Sequence, residues 1–174
     1  MEQTMLEAMM SRKSVRSYTD QMVSDADIEK VLKAGQYAAN GRGRMATKFV
    51  VVKNREIRDE LSKMNADIMG VESNPYYDAP TIVLVFASAD NYNRERDGSL
   101  VLGNMMLAAH SIGLASCWIN REDAMFASAE GKAIMAELGL PDGLVGIGAL
   151  SLGYASSHPK TVKPRKEGYY KILK

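Results

Sequence analysis

The sequence predicts a single α+β domain, and three observations support this. The chain has 174 residues, of which 46% are apolar and 25% are charged, a length and composition that suit one globular domain with its own hydrophobic core. Apolar residues at helical spacing predict several helices. Three largely apolar runs, at 49–52, 81–87 and 144–154, predict strands between them. Because no repeat or linker-like segment interrupts the sequence, we assign residues 1–174 to one domain.

The helices of the first half of the chain are predicted from caps and apolar stripes. A short first helix ends at about Met10. A second helix follows Ser24–Asp27, which has the composition of a capping box. A third begins after Asn54, a favourable N-cap residue. The apolar stripes of the second and third helices consist of Ile28, Val31, Leu32 and Gly35, and of Ile57, Leu61, Met64 and Ile68.

Two strands and a long helix are predicted in the middle of the chain. Phe49–Val52 is rich in β-branched residues, and Thr81–Ala87 is apolar on both faces, which favours a central strand. The long helix begins at Asp90 or Asp97 and ends around Gly113. It lacks charge beyond its first turns, but its polar residues favour burial in protein over insertion in a membrane.

The last third of the chain is predicted to contain two strands, one helix and a strand-like tail. Cys117–Ile119 is a short extended piece, and a helix over Ala127–Leu138 ends before Gly139. Leu144–Tyr154 is a long strand whose glycines allow a neighbour or ligand to approach closely. Tyr169–Leu173 has strand composition but no pairing partner nearby in the sequence.

Charge and cysteine content narrow the classes of function. The net charge of +1 provides no field that would attract nucleic acid or an anionic membrane. The single cysteine, Cys117, excludes an internal disulfide and favours a reducing compartment, so the cytoplasm is the predicted location. One cysteine and two histidines without spaced carboxylates give no reason to predict a metal site.

Two basic clusters are the most informative polar features. Ser11–Tyr18 combines arginine, lysine and hydroxyl side chains, and Lys163–Lys166 is a second short basic run far away in the sequence. Together they could grip a phosphate group, since arginine donates to phosphate oxygens in a fork. Each cluster alone could equally be a solvated turn.

Two further motifs lack the context that their functions need. Gly41–Ala46 has the letters of a dinucleotide-binding fingerprint but follows a helix and precedes a strand, the reverse of the required order. Ala149–Gly153 approaches the nucleophile elbow of hydrolases without the expected acidic and histidine partners. A hydrolase or a nucleic-acid-binding module is therefore kept only as an alternative.

The two clusters and the residues between them resemble the nitroreductase family of FMN-dependent oxidoreductases over nearly the whole chain. Arg12–Tyr18 is similar to the family's N-terminal basic signature. Asn104–His110 followed by Gly113–Asn120 is similar to its long central helix and the segment after it. Leu152–Tyr154, with the second basic cluster downstream, is similar to its C-terminal motif. The resemblance implies a central, mostly antiparallel or mixed sheet flanked by helices.

The resemblance also implies which residues hold FMN. The basic signature would hold the phosphate and ribityl chain, the segment after the long helix would approach the flavin near N5, and the C-terminal pair would bind phosphate. Backbone contact with the flavin is expected at one residue of the loop after the second helix. The implied residues are Arg12, Lys13, Ser14, Arg16, Met45, Ile119, Asn120, Arg121, Lys163 and Arg165.

Three departures from the family's pattern bear on the substrate site. Gly43 and Met45 stand where many members have amide side chains that touch the flavin, and Ala155 stands where a proline is usual. The chain is also short for the family, which implies that helical insertions covering the flavin are absent. We therefore expect a shallow or open substrate pocket.

The predicted function is transfer of hydride from NAD(P)H through flavin N5 to an acceptor such as a nitroaromatic or a quinone, in a ping-pong order. No side chain is predicted as an obligatory acid or base, because the cofactor performs the chemistry. A flavin-binding protein that stores or senses FMN without turnover is the main alternative. A homodimer with FMN at its interface is also expected, since Gly98–Gly113 has more apolar surface than one domain readily covers. The tail at Tyr169–Leu173 would then pair with the other subunit.

Overall fold

Helices and strands alternate along the computed structural model, which describes residues 4–159 and 164–174. The helices are α1 (Met5–Ser11), α2 (Asp25–Gln36), α3 (Arg55–Met69), α4 (Arg94–Ser111), α5 (Glu122–Ala127) and α6 (Ala129–Glu137). The strands are β1 (Thr47–Val52), β2 (Thr81–Ser88), β3 (Ala115–Ile119) and β4 (Leu144–Gly153). A 3-10 turn at Gly41–Gly43 precedes β1.

The strands form one antiparallel sheet in the order β1-β2-β4-β3. β2 lies inside the sheet and is buried along nearly its whole length, as its two apolar faces predicted. The strands predicted at 49–52, 81–87, 117–119 and 144–154 all form with slightly different bounds. The predicted α+β architecture with a mostly antiparallel sheet is therefore confirmed.

The two faces of the sheet are covered by different helices. Val83 and Val85 of β2 pack in a core with residues of α2 and α4. Ile82 and Leu84 pack in a second core with residues of α3, α5 and α6. The faces alternate because successive side chains of a strand point to opposite sides. Among the described residues, no helix combines the length and the hydropathy that crossing a bilayer requires.

The glycines of β4 allow the close approach that the sequence predicted. The register between β2 and β4 shifts between Val85 and Phe86, which pair with Gly148 and Gly146 respectively. A Cβ atom on Gly148 would lie 2.6 Å from Nε1 of Trp118, which is closer than side chains tolerate. Glycine is therefore needed at this position for β3 and β4 to lie together.

The N-terminal segment lies alongside β3, where it positions the basic signature. Val15 donates its backbone N–H to the Ser116 carbonyl (3.0 Å), and Thr19 donates to the Tyr154 carbonyl (2.9 Å). Ser14 and Ser116 also form an isolated parallel bridge. The residues between Arg12 and Thr19 are thus tied to the end of the sheet that β3 occupies.

Two predicted helix starts are confirmed and one is wrong. Asn54 caps α3 by accepting from the Ile57 N–H (3.1 Å). Ser24 caps α2 through the Asp27 N–H (3.2 Å). α4 begins after Asn93, so neither predicted acidic residue caps it. Asp97 is instead buried inside the helix, where its carboxylate accepts from the Gly41 N–H (2.9 Å) and from Asn91.

The helix predicted over 127–138 is confirmed as α6, and a short helix before it, α5, was not predicted. Ser128 ends α5 and caps α6 by accepting from the Gly131 N–H (3.0 Å). A β-carbon on Gly131 would collide with the Met125 carbonyl oxygen, so this junction is tightly packed. α5 was missed because its six residues are too few to show a helical apolar period.

Two expectations concerned surfaces that a second subunit would cover, and both stay predictions. Residues 169–173 form no strand within this chain, and their side chains are exposed. Six of the 18 residues of α4, the helix expected to leave a large apolar surface, are buried, while Leu100 is exposed and Met106 and Leu107 are partly exposed. α1 adds a further exposed apolar surface at Met5, Leu6, Met9 and Met10.

Candidate functional site

A small basic cavity lies where the C-terminal end of α1 meets β3. Its volume is about 200 Å³, and its lining includes Ser11, Arg12, Lys13, His110, Ser116 and His158. Arg12 is the C-cap residue of α1, and His110 lies in the last turn of α4. Two helix ends and the bridge to β3 therefore bring cationic and hydroxyl side chains to one place. We refer to it below as the basic cavity.

Arg12 is the main reason to expect an anion in the basic cavity. Its Nη1 atom is buried and has no hydrogen-bond partner among the described residues. In that part of the chain, no acidic group lies within ion-pair distance of Arg12, Lys13 or Arg16. A buried N–H group without an acceptor is unfavourable. A bound phosphate group would supply both the missing charge and the missing acceptor.

The pKa of His110 reflects both its burial and the cations around it. Its Nε2 lies 2.8 Å from the Ser11 hydroxyl. Burial lowers the pKa of His110, and the positive charges of Arg12 and His158 lower it further. Lys13 adds another cation, which donates to the Pro159 carbonyl (3.3 Å). Burial, reinforced by the neighbouring cations, thus disfavours protonation of His110.

Arg16 lies apart from the basic cavity and contacts a tyrosine. Its Nε donates to the Tyr77 hydroxyl (3.2 Å), and its guanidinium lies 5.8 Å from the centre of the Tyr77 ring. The hydrogen bond to Tyr77 raises the pKa of Arg16. Tyr77 and Asp78 both have positive φ angles, of 58° and 55°, which non-glycine residues rarely adopt. The loop before β2 is therefore strained where it meets Arg16.

The segment after β3 is held by Asn65 of α3. Asn65 donates to the Asn120 carbonyl (2.8 Å) and accepts from Nε of Arg121 (2.8 Å). Arg121 has a φ of 87°, so the chain turns sharply before α5. The side chain of Ile119 is only 3% exposed and packs in the core. Of these three predicted site residues, Ile119 can therefore offer a ligand only its backbone.

A buried tyrosine and glutamate complete this region. Tyr76 donates its hydroxyl to Oε1 of Glu122 (2.9 Å), and both side chains are buried. Burial raises the pKa of Glu122 to about 7. We call Asn65, Tyr76, Asn120, Arg121 and Glu122 the polar network. Because Tyr76 precedes Tyr77, this network is connected along the chain to Arg16.

Sequence reasoning missed four residues of this region: Asn65, Tyr76, Tyr77 and Glu122. Only weak signals could have indicated them. The adjacent tyrosines follow an Asn-Pro turn, and the glutamate follows the apolar strand segment after two polar residues, Asn120 and Arg121. Their partners lie tens of residues away, so their association depends on tertiary packing.

The remaining predicted site residues lie elsewhere. Met45 lines a separate cavity of about 730 Å³ with Tyr37 and Phe49. Its φ is 46°, its side chain is 76% exposed, and its N–H donates to the Asn40 side chain (3.0 Å). Arg165 is exposed on residues 164–174, and Lys163 lies outside the described residues. Within this chain, Met45 is thus not brought to the basic cavity.

Cys117 and Ser151 are core residues. Cys117 is 2% exposed, and burial raises the pKa of its thiol, which makes a reactive thiolate unfavourable. Ser151, the candidate nucleophile of the hydrolase alternative, is fully buried in β4 and donates to the Tyr76 carbonyl (3.0 Å). The structure therefore gives the hydrolase alternative no accessible nucleophile at this residue.

Comparisons with known proteins identify the family to which this antiparallel α+β fold belongs. The model of the Nitroreductase family matches residues 9–154. The chain belongs to the nitroreductase family. The family prediction made from the sequence motifs is therefore confirmed.

Three relatives illustrate the similarity. The chain is 32% identical over 155 residues to a protein of Archaeoglobus fulgidus named as an NADH dehydrogenase/NAD(P)H nitroreductase, which covers 86% of this chain and 84% of that one. It is 26% identical over 138 residues to an FMN reductase (NADPH) of Bacillus subtilis, with coverage of 66% and 53%. A crystal structure of a nitroreductase with bound FMN from Bacteroides fragilis superposes with a TM-score of 0.91 at 28% identity, covering 99% and 100% of the two chains.

Proposed function

We propose that this chain is an FMN-dependent oxidoreductase that takes hydride from NAD(P)H and passes it to an electron acceptor such as a nitroaromatic or a quinone. Membership of the nitroreductase family supports the proposal, as do the FMN reductase of B. subtilis and the FMN-bound nitroreductase of B. fragilis. The observation that carries it is the buried Arg12 Nη1 atom without a partner among the described residues.

The basic cavity suits the terminal phosphate of FMN. Arg12 would donate to the phosphate through Nη1, and Lys13, beside it on the cavity wall, would add charge. Ser14 lies next to them on the bridge to β3, where it can contact the ribityl chain. Lys163 and Arg165 are proposed as further phosphate ligands from the tail, following the family's pattern. The cavity's volume of about 200 Å³ suits a phosphate group rather than a whole nucleotide.

The polar network suits the ring end of the same cofactor. When bound, FMN supplies the atom, N5, that accepts and returns hydride. Arg16 would lie beside the ring as a cation, while Ile119, Asn120 and Arg121 would present backbone groups that Asn65 holds in one conformation. These residues bind and orient the cofactor, and none is needed as an obligatory acid or base.

A homodimer with FMN at its interface is part of the proposal. The exposed methionines and leucine of α1 and the exposed apolar tail are surfaces that a second copy could cover. Met45, which lies in a separate cavity, would then contribute its backbone to the cofactor of the partner subunit. The single cysteine fits a cytoplasmic enzyme.

The decisive experiment is the visible absorption spectrum of the purified protein, followed by mass analysis of the released cofactor. We expect FMN, and a preparation with FAD or without flavin would contradict the proposal. Anaerobic addition of NADH and of NADPH should bleach the flavin, and sustained oxidation of the nicotinamide should need an added acceptor. Bleaching without turnover would favour the alternative of a protein that stores or senses FMN.

Light scattering at low protein concentration tests the dimer. We expect a dimer that carries flavin, and a stable flavin-loaded monomer would contradict this part of the proposal. A variant that ends before Glu167 should lose dimer stability and FMN together if the tail acts across the interface. A tail without such a role would leave both unchanged.

A further inference from the structure

Glu122 is a fully buried carboxyl group of the polar network to which the proposed function assigns no role of its own. Its side chain is 0% exposed. Oε1 accepts from the Tyr76 hydroxyl (2.9 Å), whereas Oε2 is buried without a partner among the described residues. An ionised carboxylate with an unsatisfied oxygen in such a place is unfavourable. Burial therefore favours the protonated form of Glu122, which is not the case for a solvent-exposed carboxyl group.

The position of Glu122 connects it to both parts of the proposed ring end. It is the first residue of α5 and directly follows Arg121. Its backbone is packed so closely against Gly146 of β4 that a β-carbon there would collide with its carbonyl oxygen. Its partner Tyr76 directly precedes Tyr77, which accepts the hydrogen bond from Arg16. Glu122 is therefore linked through Tyr76 to the loop that contacts Arg16, and through the chain to the segment 119–121.

The charges around Glu122 allow both of its protonation states near neutral pH. Burial raises its pKa to about 7, the Tyr76 hydrogen bond and the charge of Arg121 oppose this rise, and Asp123 adds to it. Among the described residues, α3 contributes only the neutral Asn65 to this region, and β4 contributes Gly146. The titratable and charged groups that act on Glu122 are thus Tyr76, Arg121 and Asp123.

We propose that Glu122 is a positioning residue for the ring end of the FMN site, and that the proton on its carboxyl group tunes the reduction potential of the bound flavin. The proposal rests on the proposed function. With its proton, Glu122 is neutral and leaves the ring end without an added negative charge. Without it, a buried carboxylate lies behind the segment 119–121 and disfavours the addition of electrons to the cofactor, because charges in a low-dielectric interior are poorly screened.

The test is the flavin midpoint potential of the loaded protein, measured from about pH 5 to about pH 9, a range that brackets the raised Glu122 pKa of about 7. In the wild-type protein we expect the potential to fall more steeply with pH around neutrality than on either side. Glu122→Gln keeps the size of the side chain and an acceptor for Tyr76 but cannot titrate. It should remove the steeper segment and give a higher potential than wild type above neutral pH.

Two further variants make the assignment specific. Tyr76→Phe removes the hydrogen bond that stabilises the ionised carboxylate, so the steeper segment should move to higher pH. Asp123→Asn is the matched control, since it removes an exposed carboxylate one residue away and should leave the steeper segment in place, displaced slightly to lower pH. If Glu122→Gln fails to fold with FMN, the displacement in Tyr76→Phe still decides the matter.

Parallel potential curves for wild type and Glu122→Gln would overturn the proposal and leave Glu122 with a purely structural role. An unchanged curve in Tyr76→Phe would overturn it as well. A wild-type protein that binds no FMN at any pH would instead refute the proposed function, and this proposal would fail with it. The two failures are thus distinguished by the wild-type preparation alone.

Discussion

Arg12 and Glu122 each have a buried polar atom without a partner among the described residues, but their surroundings differ. Arg12 lies with Lys13 and His110 in a cavity that contains cations and hydroxyl groups. Glu122 is enclosed by Tyr76 and lies beside Arg121 and Asp123. A guanidinium cannot lose its proton under ordinary conditions, whereas a buried carboxylate can gain one. The basic cavity therefore needs an external anion, while the polar network can relieve its charge by protonation.

The largest expected effect is on stability, at Glu122. Its pKa rises from the ordinary value of 4.5 to about 7 on folding, so the folded state binds this proton more tightly than the unfolded state. Wild-type stability should therefore fall between these two pH values by about 3 kcal/mol, at about 1.4 kcal/mol for each pH unit. Glu122→Gln should lack this fall. Urea unfolding at acidic and at mildly alkaline pH measures the difference.

The control for this prediction is Asp123→Asn, because Asp123 is an exposed neighbour. Its free energy of unfolding should follow that of the wild-type protein across the same pH range. If Glu122→Gln and wild type lose stability in parallel, then Glu122 is ionised in the folded protein at acidic pH. Protonation would then not relieve the buried charge of Glu122, and Glu122 would not differ from Arg12 in this respect.

The next effect is on cofactor affinity, at Arg12. A charge-assisted hydrogen bond contributes about 1.5–3 kcal/mol, so Arg12→Ala should weaken FMN binding by about ten- to a hundredfold. Arg165→Ala should have a similar effect if the tail also binds the phosphate. Fluorescence titration of FMN into the apoproteins measures both. Riboflavin, which lacks the phosphate, should bind wild type and Arg12→Ala equally.

Lys132→Ala is the matched control for charge, since Lys132 is exposed on α6. Its affinity for FMN should equal that of the wild-type protein. Undiminished FMN affinity in both Arg12→Ala and Arg165→Ala would make these residues ordinary basic side chains. The demand for an anion at the basic cavity would then need another explanation.

A smaller effect is expected at His110. The pKa of His110 is lowered by burial and by the charges of Arg12 and His158, and a bound phosphate would raise it again. Binding should then take up a proton, so FMN affinity should increase as pH falls through the histidine range, relative to His110→Asn. For a partly exposed charge pair the gain is about two- to fivefold. Calorimetric titration in buffers of different ionisation enthalpy detects the proton uptake, and equal uptake in both proteins would contradict the assignment.

The smallest effect is expected at Tyr77. Arg16 is exposed, and its hydrogen bond to the Tyr77 hydroxyl is long, at 3.2 Å. Tyr77→Phe keeps the aromatic face and should therefore change the free energy of unfolding by less than about 0.5 kcal/mol. Tyr76→Phe, one residue earlier and buried, should cost at least about 1 kcal/mol at alkaline pH, because it leaves the ionised Glu122 without its donor. Equal changes in the free energy of unfolding for Tyr77→Phe and Tyr76→Phe would contradict this difference between an exposed and a buried hydrogen bond.

The sequence predicted the parts of this molecule that depend on local periodicity. The stripe of α2, the Asn54 cap of α3 and the uninterrupted apolar run of β2 all form as expected. The basic signature was found because its charged residues are contiguous. α5 was missed because a helix of six residues is too short to show a helical period in the sequence.

The polar network could not be predicted for a different reason. Tyr76 and Glu122 are 46 residues apart, and Asn65 and Arg121 are 56 residues apart, so their pairing depends on how α3 and α5 pack on the same face of the sheet. The pKa of Glu122 is likewise a property of its burial and not of its neighbours in the sequence. Met45 was assigned from the family's pattern, which does not state which subunit's cofactor the loop would meet.

The loop between α2 and β1 is anchored by a hydrogen bond near each of its ends. Asp97 of α4 accepts from the Gly41 N–H, and Asn40 accepts from the Met45 N–H. Between them the Gly43 side-chain position faces open space. New chain inserted at Gly43 would therefore leave both anchors, and with them the start of β1, in place. An insertion at this position could add an element that covers the cofactor site. It could so change substrate choice while the sheet stays as it is.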